Sequence, residues 1–595
     1  MAGSCFDHTL AWLTESAWTG MENLSGWNLF PFVLLYAEIH YRFRYFISFI
    51  KRHRPEIIAD VPHRMVLDGS IPLLLIIKDA DRYPIRLDRV EVRARLEPKK
   101  ELETFLFDLG QLKISDRFRE TVIDLPVIDR VGSEGHLQVL LHGMCLKSGK
   151  RFKAVNDNYP GGFRDWFKVR VSKDPLPAAE GWVCGDIHCH SRYTDDQYEF
   201  GAGLEGISRI AAASGYSWIG LTDHSYDLDD LPDDYLHNDR CLAKWKGFLE
   251  EAGRLNSSLD GANRATLIPG EEVSCGSSRG RNVHLLVLGN KKFIPGYGDS
   301  AEKWFRTAPT LPLDEVLDRV SREDPRPATF AAHPFQRTGF VERLLFNRSE
   351  WEVSDLGNKR LNGWQLWNCN DTGNPSVMDR VCDWSNQLLR GKKLSLVAGS
   401  DSHGNFGMRR SIGIPFLWVQ VTASARWGRT WTLVRTGGDS SPLTVISALR
   451  SGKTVVSSGP FVNLTVFRDG SPVGQVGDTV EWTGNLELEI TALSSDEFGT
   501  ITEGTIYLGL TGATNESTIW WLDPLKLAPG KKVVCRIPLP APWNMSPDIK
   551  VGAAEGPRSG QAYSGYIRAQ VKSFARGKSF NALTSPIWVS SSISS

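Results

Sequence analysis

Apolar and polar residues alternate along the chain in two different rhythms. From about Ile57 to Val171, short apolar runs (SIPLLLII, RVEVRARL, ETVIDLPVI, HLQVLLHGM, WFKVRV) stand between turn-forming residues, which predicts the strands of an immunoglobulin-like β-sandwich. After the proline-rich joint DPLPAAEGW the rhythm becomes strand, helix, strand, helix. The strand candidates there are GWVCGDIHCH, SWIGLTDH, ATLIPGEEV, NVHLLVLG, ATFAAHP, GWQLWN and LSLVAGSDSH, with helical stretches such as LEGISRIAAAS and DEVLDRVSRE between several of them. That alternation predicts an α/β region whose seven strands close into a barrel. A last helix, PLTVISALRSG, leads through KTVVSSGPF into a region rich in Thr, Val and Gly, expected to be a second β-sandwich. The expected division is a helical N-terminal segment over 1–55, a sandwich over 56–175, the α/β region over 176–458 and the C-terminal sandwich over 459–595.

Length supports this division, because 595 residues exceed what a single hydrophobic core organises. Hydrophobic residues at 41% and charged residues at 23% are ordinary globular usage, so each unit can bury a core. Lys plus Arg equals Asp plus Glu at 69 each, and no global field draws the chain toward nucleic acid or anionic lipid. Nine scattered cysteines without a CxxC pair argue against a disulfide framework and against a zinc ribbon. The N-terminus lacks the basic start and apolar core of a signal peptide, so a cytoplasmic protein is expected. The apolar stretch from Leu29 to Ile50 is interrupted by Glu38, His40, Arg42 and Arg44, short of the ~20 clean residues of a membrane span. It is expected to pack as a helix on its own protein rather than to lie on a membrane surface.

The chemistry concentrates in the middle region. His188 and His190, Asp223 and His224, Glu272, His284, His333, and Asp401 and His403 all fall in, at the end of, or just after a predicted strand. Strand side chains alternate with period two, so the HxH of His188 and His190 places both imidazoles on one face, as does the DxH of Asp401 and His403. By the same alternation Cys189 points into the core, and Cys184 and Cys275 are expected to be packing residues. A single histidine is more often a hydrogen-bonded structural residue than a ligand. Six of the thirteen histidines at such positions are not explained that way.

In order, HCHSRYTDD, LTDHS, PGEEVS, VHLLVLG, AAHPF and GSDSHG resemble the motif series of the PHP (polymerase and histidinol phosphatase) metallohydrolases, over about Gly181 to Gly404. The phrase ALRSGKTVVSSGPF and the flanking sandwiches further resemble the CehA/McbA-like branch, which includes carbamate ester hydrolases. The resemblance implies a distorted (β/α) barrel of the PHP type holding two or three divalent ions of Mn, Zn or Fe. It implies one metal on His188, His190, Glu272 and Asp401, a second on Asp195, His224 and His403, and a third on Glu272, His284 and His333. Asp196 is an alternative to Asp195, and Glu271 to Glu272. Glu272, Asp401 and His403 are the residues expected at the reacting centre. Asp186 and Asp223 are expected behind the ligands, each accepting an imidazole N–H.

A positive surplus over the ligand carboxylates favours an anionic substrate, with a hydroxide activated by the metals as nucleophile. The chain has no GxSxG elbow and no GxxxxGK loop to suggest another chemistry. Arg337, Arg409 and Arg410, and less directly Arg279 and Arg281, are candidates to hold a phosphate oxygen through a guanidinium fork. The leading expectation is a phosphoesterase acting on a small phosphorylated molecule. An ester, amide or carbamate hydrolase is the alternative, with Trp364 and Trp367 lining an apolar pocket. A nuclease ranks third, since no basic stripe is evident, and a metal-stabilised scaffold without activity ranks last.

Overall fold

In the computed structural model, residues 54–591 are described, apart from 67–69, 97–100, 126–133, 159–162, 195–200, 232–233, 259–262, 301–306, 340–342, 345, 369–376, 405, 408–410, 415–418, 423–426, 484, 523–531 and 540–562. The expected helix over Leu29 to Ile50 lies outside the described residues. Among those described, no helix is long and apolar enough to cross a membrane.

The first unit pairs two sheets. Strands Glu56–Asp60, Ile71–Lys78 and Phe118–Leu125 form one, and six strands built around Ile85–Leu96 and Glu134–Cys145 form the other. Leu73 and Leu75 of the first sheet and Val90, Val92, Leu137 and Val139 of the second belong to one buried cluster. Burying each such side chain contributes about 1.5–3 kcal/mol.

The middle region contributes nine strands to one sheet: β1 (Trp182–Cys189), β2 (Trp218–Leu221), β3 (Thr266–Gly276), β4 (Asn282–Leu288), β5 (Ala328–Ala331), β6 (Gly363–Trp367), β7 (Ser395–Ala398), β8 (Trp431–Arg435) and β9 (Thr454–Ser457). Its helices are α1 (Leu204–Ala213), α2 (Ser225–Leu228), α3 (Ala243–Ser257), α4 (Leu313–Ser321), α5 (Val353–Leu356), α6 (Val377–Leu389) and α7 (Pro442–Arg450). The sheet runs β7-β6-β5-β4-β3-β2-β1-β8-β9 and continues into Lys578–Thr584, Tyr563–Ala575 and Thr500–Leu510, fifteen strands in all. A separate four-stranded sheet containing Phe461–Arg468 and Leu486–Leu493 accompanies this C-terminal extension.

This architecture overturns the expected α/β class and the expected seven-stranded (β/α) barrel. The seven anticipated segments do become strands, yet the described chain is mostly β, and α2 and α5 are single turns of four residues. Two features exclude the barrel. Strands β3 and β4 pair antiparallel across the turn 277–281, far too short for the dozen or more residues of a crossover helix. The edge of β1 that would have to meet β7 pairs antiparallel with β8 instead, and β8 passes the sheet on to β9 and the C-terminal strands. The sheet therefore curls into a half-barrel. Its β7 end returns to β1 through the following loop, where the Asp401 N–H donates to the His188 carbonyl at 2.8 Å and Cys189 bridges to Ser402.

Candidate metal centre

The curl brings the ends of separate strands to one place. The parallel pairing of β1 with β2 and of β2 with β3 aligns their C-terminal ends. At those ends Glu272 N–H donates to the Asp223 carbonyl at 3.0 Å, which seats His224 beside Glu272. His284 reaches the same point from β4, opposite Ser274 in the antiparallel register. His333 follows β5, and Asp401 and His403 follow β7. His333 and Asp401 have φ of 25° and 54°, the left-handed region that costs a residue with a Cβ of order 1–3 kcal/mol.

Glu272 is the hub. Its Oε2 lies 3.0 Å from His224 Nδ1, 3.3 Å from His190 Nε2 and 3.4 Å from His188 Nε2, yet it is buried without a hydrogen bond of acceptable geometry. Its Oε1 lies 2.7 Å from His284 Nδ1 and 3.0 Å from His333 Nε2. Asp401 Oδ1 lies 3.2 Å from His190 Nε2 and 3.3 Å from His188 Nε2. Those two Nε2 atoms face each other at 3.1 Å, and the His190 and His403 rings stack with centroids 4.0 Å apart. Nitrogen and oxygen lone pairs turned toward a shared centre repel one another unless a cation lies among them, so this donor set fits divalent ions. Among the described residues, three groups have possible ligand atoms within 4.8 Å of one another: His188, His190, Glu272 and Asp401; His190, His224 and His403; and His224, Glu272 and His284.

The first group has the anticipated membership. The second contains His224 and His403 but shares His190, while Asp195 and Asp196 lie outside the described residues. The third takes His224 where His333 was expected, although His333 still touches Glu272. Strand alternation separates the two adjacent glutamates: Glu271 faces away, accepting from Ser225 Oγ at 3.0 Å and from the Ile294 N–H at 3.1 Å. Burial pushes the Glu271 carboxyl well above the usual range. Burial would raise Glu272 and Asp401 as well, but the imidazoles around them, His284 and His188 for Glu272 and His188 for Asp401, hold both well below it. Burial and the neighbouring His190 lower His224 to about 4.

Asp186 and Asp223 do not accept imidazole N–H groups. Asp186 accepts from the backbone N–H of His188 at 2.9 Å and of Ser400 at 3.0 Å, stitching β1 to the loop after β7. Asp223 accepts from the N–H groups of Ser191 and Thr194 and from Ser191 Oγ, shaping the turn after His190. The imidazole partners are residues the sequence did not single out. Gln365 Oε1 lies 2.9 Å from His188 Nδ1 and accepts the backbone N–H of His333 at 3.1 Å. An amide oxygen can only accept, so His188 Nδ1 carries the proton and Nε2 turns a lone pair to the cluster. Asp299 Oδ2 lies 2.7 Å from His284 Nε2, and Asn368 Nδ2 donates to Asp401 Oδ2 at 3.1 Å. A polar amide inside the apolar strand GWQLW was the available signal for Gln365. Asp299, in an irregular loop, had none.

The arginine candidates do not converge. Arg409 and Arg410 lie outside the described residues, and Arg337 is exposed. Arg279 pairs with Glu352, and Arg281 donates to Asn347 Oδ1. Trp364 and Trp367 lie in the core, 1% and 3% exposed, and Trp364 donates its indole N–H to the Leu356 carbonyl, so neither lines an open pocket. Cys184, Cys189 and Cys275 are buried core residues.

No family model and no curated protein matches the chain. Among solved structures, the ApaA protein from Bordetella pertussis matches 21% of this chain and 100% of its own, at 9% identity and a TM-score of 0.16. The Bacteroides uniformis beta-glucuronidase 2, covalently bound to cyclophellitol-6-carboxylate aziridine, matches 91% of this chain and 62% of its own, at 8% identity and a TM-score of 0.17. A further Bacteroides uniformis beta-glucuronidase matches 90% and 61%, at 7% identity and a TM-score of 0.17. This chain thus spans less than two thirds of the glucuronidases' length. Similarities this low carry no inference about fold or activity.

Proposed function

We propose that the chain is a metal-dependent hydrolase, PHP-like in its ordered motifs, that acts as a phosphoesterase on a small phosphorylated substrate. The observation that carries this reading is the convergence of His188, His190 and Asp401 with Glu272, whose buried Oε2 has no hydrogen bond to satisfy it. A buried carboxylate oxygen in that condition is costly without a cation. These residues, with His224, His284 and His403, would hold the ions, and mixed imidazole and carboxylate donors suit Mn, Zn or Fe. Bound there, such ions would polarise a phosphoryl oxygen and acidify water.

The protein's own part is positioning. Gln365 sets the His188 tautomer, Asp186 fixes the backbone that carries it, and Asn368 orients Asp401. Side chains of His188, His190 and Glu272 are at most 1% exposed, whereas Asp401, His333 and His224 are 21%, 18% and 11% exposed. Substrate would therefore approach over the Asp401 and His333 side. Two divalent ions would carry four positive charges against the two of Glu272 and Asp401, and that surplus favours a phosphate over a neutral ester.

The test is metal content of the purified chain by elemental mass spectrometry, with p-nitrophenyl phosphate turnover for wild type and Glu272→Ala. Two or three ions per chain, and loss of both metal and turnover in the variant, are expected. A chain that stays metal-free under Mn, Zn and Fe loading overturns the reading. Bound metal with hydrolysis of an aryl acetate or carbamate but not of the phosphate would replace phosphoesterase by carboxylic or carbamic ester hydrolase.

A further inference from the structure

His284 has a carboxylate at each ring nitrogen: Glu272 Oε1 lies 2.7 Å from Nδ1, and Asp299 Oδ2 lies 2.7 Å from Nε2. A neutral imidazole offers one N–H and one lone pair, so its surroundings decide which nitrogen faces the cluster. Asp299 is only 4% exposed and is anchored from two further sides. Arg348 Nε donates to its Oδ2 at 2.6 Å, and Ser274 Oγ donates to its Oδ1. Ser274 stands opposite His284 in the β3–β4 register, so one ladder places both the ring and the group that braces its partner. The Arg348 guanidinium pairs with Asp299 and the Ser274 hydroxyl keeps its other oxygen engaged, so the carboxylate is held in place facing the ring. With a cation held at Glu272, the braced Asp299 carboxylate would take the ring N–H and the Nδ1 lone pair would face the ion. Asp299 lies at the opposite ring nitrogen from Glu272 and outside all three ligand groups.

We propose that Asp299, braced by Arg348 and Ser274, is a positioning residue that locks His284 to present Nδ1 to a divalent ion shared with Glu272 and His224. This inference rests on the metal-centre reading above. It separates two corners of the cluster: His188 is oriented by the neutral amide of Gln365, and His284 by a carboxylate that also raises the basicity of the ring as a ligand.

The experiment titrates the full-length chain with Zn against a chromophoric chelator and records the visible absorption of the Co-loaded protein, for wild type, Asp299→Ala, Asp299→Asn and Arg348→Met. Asp299→Ala should weaken one ion by roughly 10- to 100-fold, leave the others at wild-type affinity and shift the Co absorption. Asp299→Asn keeps an acceptor for the N–H and should recover part of that loss. Asp299→Asn and Arg348→Met, the gentler changes, decide the matter if the alanine variant fails to fold. Variants that fold, bind every ion as wild type does and leave the Co spectrum unchanged overturn the inference and leave the metal centre standing. A wild type that binds no ion overturns both.

Discussion

Asp401 is bound to His188 at two levels, its N–H donating to the His188 carbonyl at 2.8 Å while its Oδ1 lies 3.3 Å from His188 Nε2. One residue thus ties the loop after β7 to β1 and completes the first candidate ligand group. Asp401→Ala should cost at least the roughly 10- to 100-fold in metal affinity that loss of an outer partner typically costs, with turnover falling in parallel. Chelator competition and steady-state kinetics on the same preparation measure both, and wild-type metal affinity in the variant would refute the assignment.

Gln365 orients His188 and also accepts the backbone N–H of His333. Gln365→Ala frees the His188 ring to rotate, and metal affinity should fall by about 10- to 100-fold. Since no ligand atom is removed, high metal concentration should restore turnover, which a titration of activity against Mn or Zn would show.

Metal removal should destabilise the fold. Ions that bind only the folded chain stabilise it by about 2.7 kcal/mol at a free concentration 100 times Kd. A chelator should therefore lower Tm in wild type and have much less effect on Glu272→Ala, as followed by differential scanning fluorimetry. Equal shifts in the two proteins would argue against binding at Glu272.

Glu120 gives the interface between the first sandwich and the middle region a pH dependence. It accepts from the Gly203 and Gly206 N–H groups at the start of α1, and burial there pushes its carboxyl up to about 7 against the lowering by those donors. A carboxyl raised above its unfolded value of about 4.3 contributes stability that is full below that pH and is lost as pH rises through about 7. Between pH of about 5 and about 8, the Tm of wild type should fall more steeply than that of Glu120→Gln. Parallel curves would dismiss the effect.

Trp364→Phe leaves the Leu356 carbonyl without its indole donor in a closed core and should cost about 1–3 kcal/mol. KM for any substrate should stay unchanged. A change in KM without loss of stability, from denaturant unfolding beside kinetics, would restore Trp364 to the pocket.

The candidate ligands were legible because the HxH and DxH pairs stand at the ends of predicted strands: His188 and His190 reach Glu272 together from the end of β1, while Asp401 and His403 converge from the loop after β7, where strand alternation no longer applies. Strand positions were legible because short apolar runs stand between turn-forming residues. Barrel closure was not, because the order of strands along a chain does not say which partner takes an edge, and here β8 takes the edge of β1 that the barrel required. The groups that orient the imidazoles escaped because hydrogen bonding is set in space. Asp186 and Asp223 stand next to ligands in sequence yet bond backbone, while Asp299 and Gln365 reach His284 and His188 from 15 and 177 positions away.

The continuity of the long sheet also bears on how the protein is made. Every described ligand has been synthesised by position 403, but β1 is supported through β8 and β9 by the strand Lys578–Thr584, which leaves the ribosome much later. The candidate metal-binding residues are thus all present in the nascent chain well before the last strands of the sheet that carries them have been made.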